Sequence, residues 1–195
     1  MSEWSGGIWS DEATRTPFAP RTGEITEIVG RLSSGRTSLL LQCLREATRR
    51  GGIAAVVDTD EAFDPASAAR AGVDLRRVLW VRCGHRRDVA LQATDVLVRC
   101  PGFVLVALDG GEAPPRLSLS AAFRLKHAVR HSRIALLILG RHRIVGSGAT
   151  LALEMLQRTL EWSGPGHTRT RLTRMHSELR VLRGGMRAQS CAWSA

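Results

Sequence analysis

One segment of the sequence has the residue types and spacing of a phosphate-binding loop. Residues 30–37 read GRLSSGRT and match the pattern G-x-x-x-x-G-K-[ST], except that Arg36 stands at the lysine position. Backbone N–H groups of such a loop and the positive end of the following helix bind phosphate oxygens, and a hydroxyl at Thr37 can bind Mg²⁺. The segment predicts a nucleotide phosphate site with these contacts: Gly30, Ser33, Ser34, Gly35, Arg36, Thr37 and Ser38.

The arginine at position 36 changes what the loop is expected to do. A lysine in this place is a compact point charge, whereas an arginine is longer, planar and forked. The anion-binding backbone of the loop does not depend on this side chain. We therefore expect phosphate binding to survive and hydrolysis to be weakened. The alternative is that the glycine-rich turn serves only to pack a strand against a helix.

Carboxylates stand at the ends of two apolar segments that read as buried strands. Asp109 follows FVLVAL, and the acidic run 58–61 follows IAAVV. The carboxyl ends of parallel strands meet at one edge of a sheet, where ligands bind in such folds. With a nucleotide bound, Asp109 and Thr37 are the expected ligands of Mg²⁺, directly or through water.

Alternating strands and helices must position these residues. Hydrophobic periodicity predicts strands over 24–29, 53–57, 78–82, 103–108 and 134–139, and helices over 38–50, 66–71, 86–100 and 117–131. Residues 150–162 fit either a helix or a long strand, while the alternation in 168–175 and the run 178–182 favour antiparallel strands. The predicted fold class is α/β, a mostly parallel twisted sheet with helices on both faces and antiparallel strands at its C-terminal edge.

Length and charge limit the organisation and the partners. A chain of 195 residues suits one domain, which we place at 23–185, with a flexible lead-in at 1–22 and a C-terminal tail at 186–195. No apolar run is long enough to span a membrane, and the N-terminus does not read as a leader, so we expect a cytoplasmic protein without a membrane partner. A net charge of +10 favours a polyanion or an acidic protein surface as partner.

The stretch from Gly23 to Cys83 resembles the bacterial RecA recombinase in order and spacing. The specific features are SSG inside the phosphate loop, the acidic segment DTDEAFDP at 58–65 and the run AGVDL at 71–75. The similarity continues more weakly through FVLVALD and the LLIL strand to residue 185. The resemblance implies a RecA-like P-loop NTPase core with possible binding of ATP and magnesium.

The same resemblance assigns roles and shows departures from them. Asp60 falls at the position of the catalytic glutamate, Asp64 at the aspartate beside adenine, and Asp109 at the Walker B aspartate. Asp60 is one methylene shorter than the expected base, Ser67 replaces an aromatic residue that packs on adenine, and residues 140–143 replace a glutamine that senses the γ-phosphate. Together with Arg36, these departures imply a degenerate nucleotide site in which hydrolysis is doubtful.

Other parts of RecA are expected to be missing, which bears on function. We expect no counterpart of its N-terminal polymerisation helix before residue 23 or of its C-terminal domain after 185, and hence no self-assembly into a recombinase filament. A short RecA core of this kind resembles ImuA, which acts in DNA-damage-induced translesion mutagenesis. The implied partners are an ImuB-like homologue of the Y-family polymerases, RecA or its filament, and DNA. SulA-type division inhibitors share the core but lack a recognisable phosphate loop.

Two alternative functions remain open from the sequence. The chain could be an active DNA-dependent ATPase of repair or recombination in which Arg36 and Asp60 still work. It could also bind DNA directly through arginine-rich segments. Of these, 169–174 reads more simply as a solvated strand face, whereas three residues beyond the fifth strand are candidates for a DNA or phosphate contact: Arg141, His142 and Arg143.

Overall fold

A computed structural model describes residues 19–115, 117–164, 171–184 and 189–194. Strands and helices alternate through the first five strands, as the periodicity predicts, and three further strands follow. The strands are β1 (Ile25–Gly30), β2 (Ile53–Asp58), β3 (Val78–Arg82), β4 (Phe103–Asp109), β5 (Ala135–Gly140), β6 (Leu151–Ser163), β7 (Arg171–Arg183) and β8 (Gln189–Ser194). The α-helices are α1 (Arg36–Arg49), α2 (Pro65–Arg70), α3 (Arg87–Arg99) and α4 (Leu119–His131).

The eight strands form one sheet in the order β3-β2-β4-β5-β1-β6-β7-β8. Neighbours from β3 to β6 run parallel, and β7 and β8 add antiparallel pairs at one edge. Every residue of β1 and of β5 is buried, as expected for central parallel strands that are covered on both faces. This is the predicted α/β architecture, and it places the carboxyl ends of β1, β2, β4 and β5 at one edge.

Helices cover both faces of the parallel part of the sheet. On one face α1 buries apolar side chains at helical spacing, including Leu40, Leu44 and Ala47, against β1, β2, β4 and β5. On the other face α3 and α4 do the same with residues such as Val98 and Leu125. The two apolar layers pack both faces of the strands from whose carboxyl ends the loops of the site leave.

The C-terminal part is more extended than predicted. The sequence of this part is compatible with either a helix or a strand. In the structure, residues 151–163 form strand β6, which pairs with β1 on one side and with β7 on the other. The two short strands expected at 168–175 and 178–182 are one strand, β7, and residues 165–170 lie outside the described part. Within the predicted tail, residues 189–194 form β8 and pair with β7.

Most of the predicted lead-in, residues 1–18, lies outside the described residues. The described part of the chain starts with a turn that donates from Gly23 N–H to the Ile134 carbonyl at 2.9 Å, which anchors the start of the domain beside β5. No helix among the residues described here has the length and apolar character needed to cross a membrane.

Candidate nucleotide-binding site

The phosphate loop joins β1 directly to α1. Gly35 precedes the helix with φ 98°, a left-handed conformation that favours glycine, and no side chain caps the helix there. Gly30 is also sterically required, because a Cβ at this position would lie 2.6 Å from Ser34 Oγ and 2.8 Å from the Met155 carbonyl oxygen. The N–H groups of the first turn of α1, which includes Arg36, Thr37 and Ser38, are thus left for an anion.

The guanidinium of Arg36 pairs with a carboxylate from another loop. It donates from Nη2 to Glu112 Oε1, and only 11 % of the Arg36 side chain is exposed. A second guanidinium lies on the other side, with Arg141 Nη1 3.6 Å from Glu112 Oε2. Nη1 of Arg36 is buried without a hydrogen-bond partner among the described residues. Arg36, which stands where the motif places a phosphate-binding cation, is therefore already paired with a protein carboxylate.

Several contacts fix the loop that carries Glu112, residues 110–114 after β4. Gly110 N–H donates to the Leu139 carbonyl at 2.8 Å, and Arg141 N–H donates to the Gly111 carbonyl at 3.2 Å, which ties this loop to the end of β5. On the opposite side, Arg87 Nε donates to the Ala113 carbonyl. Glu112 is therefore held over the phosphate loop by backbone as well as by side-chain contacts.

Asp60, the predicted catalytic carboxylate, contacts this same loop. Its Oδ2 accepts the Glu112 N–H at 3.3 Å, while Oδ1 lies 3.5 Å from both His85 Nδ1 and Arg87 Nη2. Gly111 makes this close approach possible because it has no Cβ. A Cβ at this position would lie 1.8 Å from Asp60 Oδ2, and the φ of +67° is itself one that favours glycine. The structure thus shows Asp60 positioning the Glu112 loop, and its role as a base stays a prediction.

Asp109 lies half-buried at the end of β4, and desolvation raises its pKa above the ordinary aspartate value. Its Oδ1 accepts the Gly111 N–H at 3.0 Å. This hydrogen bond and the positive charge of Arg36 lower the pKa of Asp109, whereas the negative charges of Asp58 and Asp60 raise it further. Asp58 is a structural carboxylate that accepts N–H groups of Ala62, Phe63 and the Trp80 indole.

The residues present fit the phosphate part of a nucleotide better than a preformed metal site. Ser34 Oγ and Thr59 Oγ1 are buried at this edge without hydrogen-bond partners among the described residues, and the Thr37 side chain is exposed. Across the described ranges, no three His, Cys, Asp or Glu side chains converge in the manner of metal ligands. A magnesium ion held by Thr37 and Asp109 would therefore need phosphate oxygens to complete its shell.

The remaining predicted nucleotide contacts are arranged as follows. Ser33 is exposed with φ 58°, and Ser38 is half-buried in the first turn of α1. Asp64 lies at the start of α2, where its carboxylate accepts the N–H groups of Ala66 and Ser67 at 3.1 and 3.0 Å and caps the helix. The Ser67 hydroxyl also donates to this carboxylate, and its hydrogen bond is the largest cause of the lowered pKa of Asp64, followed by the two backbone hydrogen bonds. Its contact with adenine stays a prediction.

The predicted DNA-contact residues after β5 have separate environments. Arg143 Nε donates to Glu27 Oε2 at 2.9 Å, and Glu27, which is 1 % exposed in β1, also accepts the N–H groups of Ile144 and Val145. Arg141 faces Glu112, and His142 is exposed. Arg143 thus neutralises a buried carboxylate, and a contact of these three residues with DNA stays a prediction.

Sequence reasoning missed the residues that close the site, Glu112 and Arg87. Glu112 follows Asp109 by three positions, so it had to lie near the carboxyl edge at which the phosphate loop also lies. That placement was a usable signal for an acidic partner of Arg36. Arg87 carried no such signal, because its contact with residue 113 depends on the path of two loops.

A phosphate loop between the first strand and first helix of a mostly parallel sheet, with a half-buried aspartate at the end of β4, defines the class of P-loop nucleotide-binding cores. The RecA N-terminal domain is the family whose model matches residues 4–135, more than half of the chain. The protein belongs to this family. The match also starts ahead of residue 23 and so includes most of the predicted lead-in.

Individual RecA proteins match a shorter part of the chain. Protein RecA of Borrelia hermsii is 41 % identical over 105 residues, which are 54 % of this chain and 29 % of that protein. Protein RecA of Thermotoga maritima is 39 % identical over 119 residues, 60 % of this chain and 33 % of that protein. That of Thermotoga neapolitana is 40 % identical over the same length. The chain spans about a third of the length of these curated relatives.

Proposed function

We propose that this protein is a RecA-like accessory factor of DNA-damage-induced, translesion mutagenesis that acts through protein partners and does not depend on ATP hydrolysis. Membership of the RecA N-terminal domain family supports a role in DNA repair or recombination. The finer assignment rests on the resemblance to ImuA-type proteins. The proposed partners are an ImuB-like polymerase homologue and RecA or its filament.

The observation that carries the loss of hydrolysis is the ion pair of Arg36 with Glu112. When bound, ATP would supply the phosphoryl group, and magnesium together with a cationic side chain would supply the positive charge that its transfer requires at the γ-phosphate. Here the side chain at the lysine position of the motif, Arg36, is nearly buried and already paired with Glu112. A γ-phosphate brought to Arg36 must displace this carboxylate or lie beside it, and the like charges would repel.

The second element that supports the proposal is the engagement of Asp60. A base must be within hydrogen-bond distance of the attacking water. The Asp60 carboxylate instead accepts the backbone N–H of Glu112 and faces the His85 imidazole and the Arg87 guanidinium. Both departures from an ATPase site therefore meet in one loop, residues 110–114, which is the part of the molecule that would have to move for turnover.

Steady-state phosphate release, with and without single-stranded DNA, tests the loss of hydrolysis. We expect no release above that of a Thr37→Ala variant, which removes the hydroxyl of the predicted magnesium ligand. Release stimulated by DNA and abolished by Thr37→Ala would establish the alternative function, an active DNA-dependent ATPase.

Co-purification tests the partner assignment separately. The purified protein should retain an ImuB-like homologue or RecA at micromolar concentration, and nucleotide should not be required. Failure to bind either partner at that concentration would reject the accessory role even if hydrolysis proved absent.

A further inference from the structure

A strongly basic groove lies between α3 and α4, on the face of the sheet opposite α1. Six side chains line it: Arg99, Phe123, Arg124, Lys126, His127 and Arg130. Its volume is about 750 Å³, and it is continuous, through Arg99 and His127, with a second depression of about 530 Å³ that includes Arg133. We propose that this α3–α4 groove binds single-stranded nucleic acid.

Charge is the first argument. Five cations line the combined groove, Arg99, Arg124, Lys126, Arg130 and Arg133, and the acidic residue that faces them is Asp95, which pairs with Arg99 at 2.9 Å. Within the described residues the other four cations make no salt bridge. The formal charge of this small surface is therefore +4, which concentrates polyanions by counterion release and electrostatic attraction.

Exposed rings among these cations are the second argument. Phe123 is 58 % exposed on the outer face of α4, and His127 lies one turn further along, with its ring centroid 4.3 Å from that of His131. Single-stranded nucleic acid offers a chain of phosphates and free base faces, and it binds where a basic groove is combined with stacking side chains. A duplex hides its base faces, and an acidic protein segment gains less from a row of rings.

The groove is distinct from the sites already described. Arg99 ends α3 just before β4 begins, so the groove extends to the amino edge of the parallel strands, whereas the phosphate loop leaves the carboxyl edge. It also shares no residue with the predicted DNA contact at 141–143. Binding here does not rest on the mutagenesis role or on nucleotide.

Fluorescence anisotropy with labelled 20-nucleotide dT and U oligomers tests the proposal. The two oligomers show whether the groove prefers DNA or RNA, and a duplex of the same length and a polyglutamate peptide are compared in parallel. We expect the single strands to bind most tightly. Replacing Arg124 and Arg130 together by glutamine should weaken binding about ten-fold or more and reduce the slope of log K against log salt by about 1.4.

Further variants distinguish the contribution of ring stacking to binding from that of charge, and both from loss of binding caused by misfolding. Phe123→Ala and Phe123→Leu should both weaken binding roughly ten-fold, because leucine keeps apolar area but offers no ring, while Phe123→Tyr should bind normally. Arg183→Gln removes an exposed cation from β7, outside the groove, and serves as the matched control. Thermal unfolding of each variant excludes loss of fold, since the replaced side chains are largely exposed.

Three results would overturn the proposal. One is equal binding of oligomers by the wild type and the Arg124/Arg130 variant. Another is loss of binding in Arg141→Gln but not in the groove variants, which would place the nucleic acid at the loop after β5. The third is a groove that binds polyglutamate in preference to both oligomers, which would identify an acidic protein segment as its partner.

Discussion

Arg36 of the phosphate loop donates a hydrogen bond to Glu112 of the loop after β4. The guanidinium that stands at the motif's phosphate-contacting position is therefore paired with a carboxylate of the protein. The two residues are 76 positions apart in the chain and are brought together at the carboxyl edge of the sheet. Arg141, in the loop after β5, supports the same carboxylate.

Replacing Gly111 by alanine should loosen the contact between Asp60 and Glu112. The new Cβ would lie 1.8 Å from Asp60 Oδ2 in a backbone with φ +67°, so the Asp60 side chain must move away. We expect a loss of about 2 kcal/mol in the free energy of unfolding, measured with urea. Gly146→Ala is the control, because it has φ +52° and nothing within 4 Å of its Cβ, and should cost about 1 kcal/mol.

A double-mutant cycle identifies the cause of that loss. In an Asp60→Ala background the carboxylate is absent, so Gly111→Ala should cost no more than Gly146→Ala. If the cost of Gly111→Ala is unchanged when Asp60 is removed, the clash with Asp60 does not explain it.

Arg143 should prove to be a stabilising residue through Glu27. Arg143→Ala leaves the buried Glu27 carboxylate with only two backbone N–H groups, and we expect a loss of about 2 kcal/mol in the free energy of unfolding. The exposed Arg133 makes no salt bridge in the described residues, and Arg133→Ala should stay within about 0.5 kcal/mol of the wild type. Equal stability of the two variants in chemical denaturation would contradict this role.

Asp109→Asn should stabilise the protein in a pH-dependent way. Burial raises the pKa of Asp109, so the folded state binds its proton more tightly than the unfolded state. The contribution of Asp109 to the free energy of unfolding therefore falls as the pH rises from its unfolded pKa through its raised folded pKa. Asparagine does not ionise, and its Oδ1 can still accept the Gly111 N–H.

Unfolding in urea at several pH values tests this prediction. The variant should exceed the wild type in the free energy of unfolding at neutral pH, and the difference should shrink as the pH drops below both pKa values. A difference that is constant with pH, or of opposite sign, would show that the ionised carboxylate is not costly in the folded protein.

The parallel core was predictable because its signals are local. Apolar segments such as 103–109 and 135–140, separated by helices with one apolar stripe, fix the element order, and the glycine-rich motif between a strand and a helix predicted the position of the phosphate loop. The sequence of β6, LALEMLQRTLEWS, shows the limit of this reasoning. It is rich in good helix formers, yet pairing with β1 and β7 makes it a strand, and this tertiary effect cannot be read from local preference.

The site was predictable in its backbone and less so in its side chains. Gly30 and Gly35 have the close approach and the left-handed conformation that the motif requires. The partner of Arg36 was not predicted, because it depends on the conformation of a loop that Gly111, Asp60 and Arg87 determine jointly. The engagement of Arg143 by Glu27 was missed for the same reason, since a glutamate inside a buried strand gives no sign of its partner.

The central claim is that Glu112 competes with a phosphate for Arg36, and calorimetric titration of the wild type and of Glu112→Gln with ATP tests it most directly. The control is Glu61→Gln, which removes a loop carboxylate that pairs with Arg82 instead. Glutamine is isosteric but uncharged, so Arg36 is freed for a phosphate, and the double variant Arg36→Lys/Glu112→Gln restores the lysine of the motif. We predict that Glu112→Gln binds ATP about ten-fold or more tightly than the wild type and Glu61→Gln, with the double variant at least as tight. Equal ATP affinity in the wild type and Glu112→Gln would contradict the claim that Glu112 competes with a phosphate for Arg36.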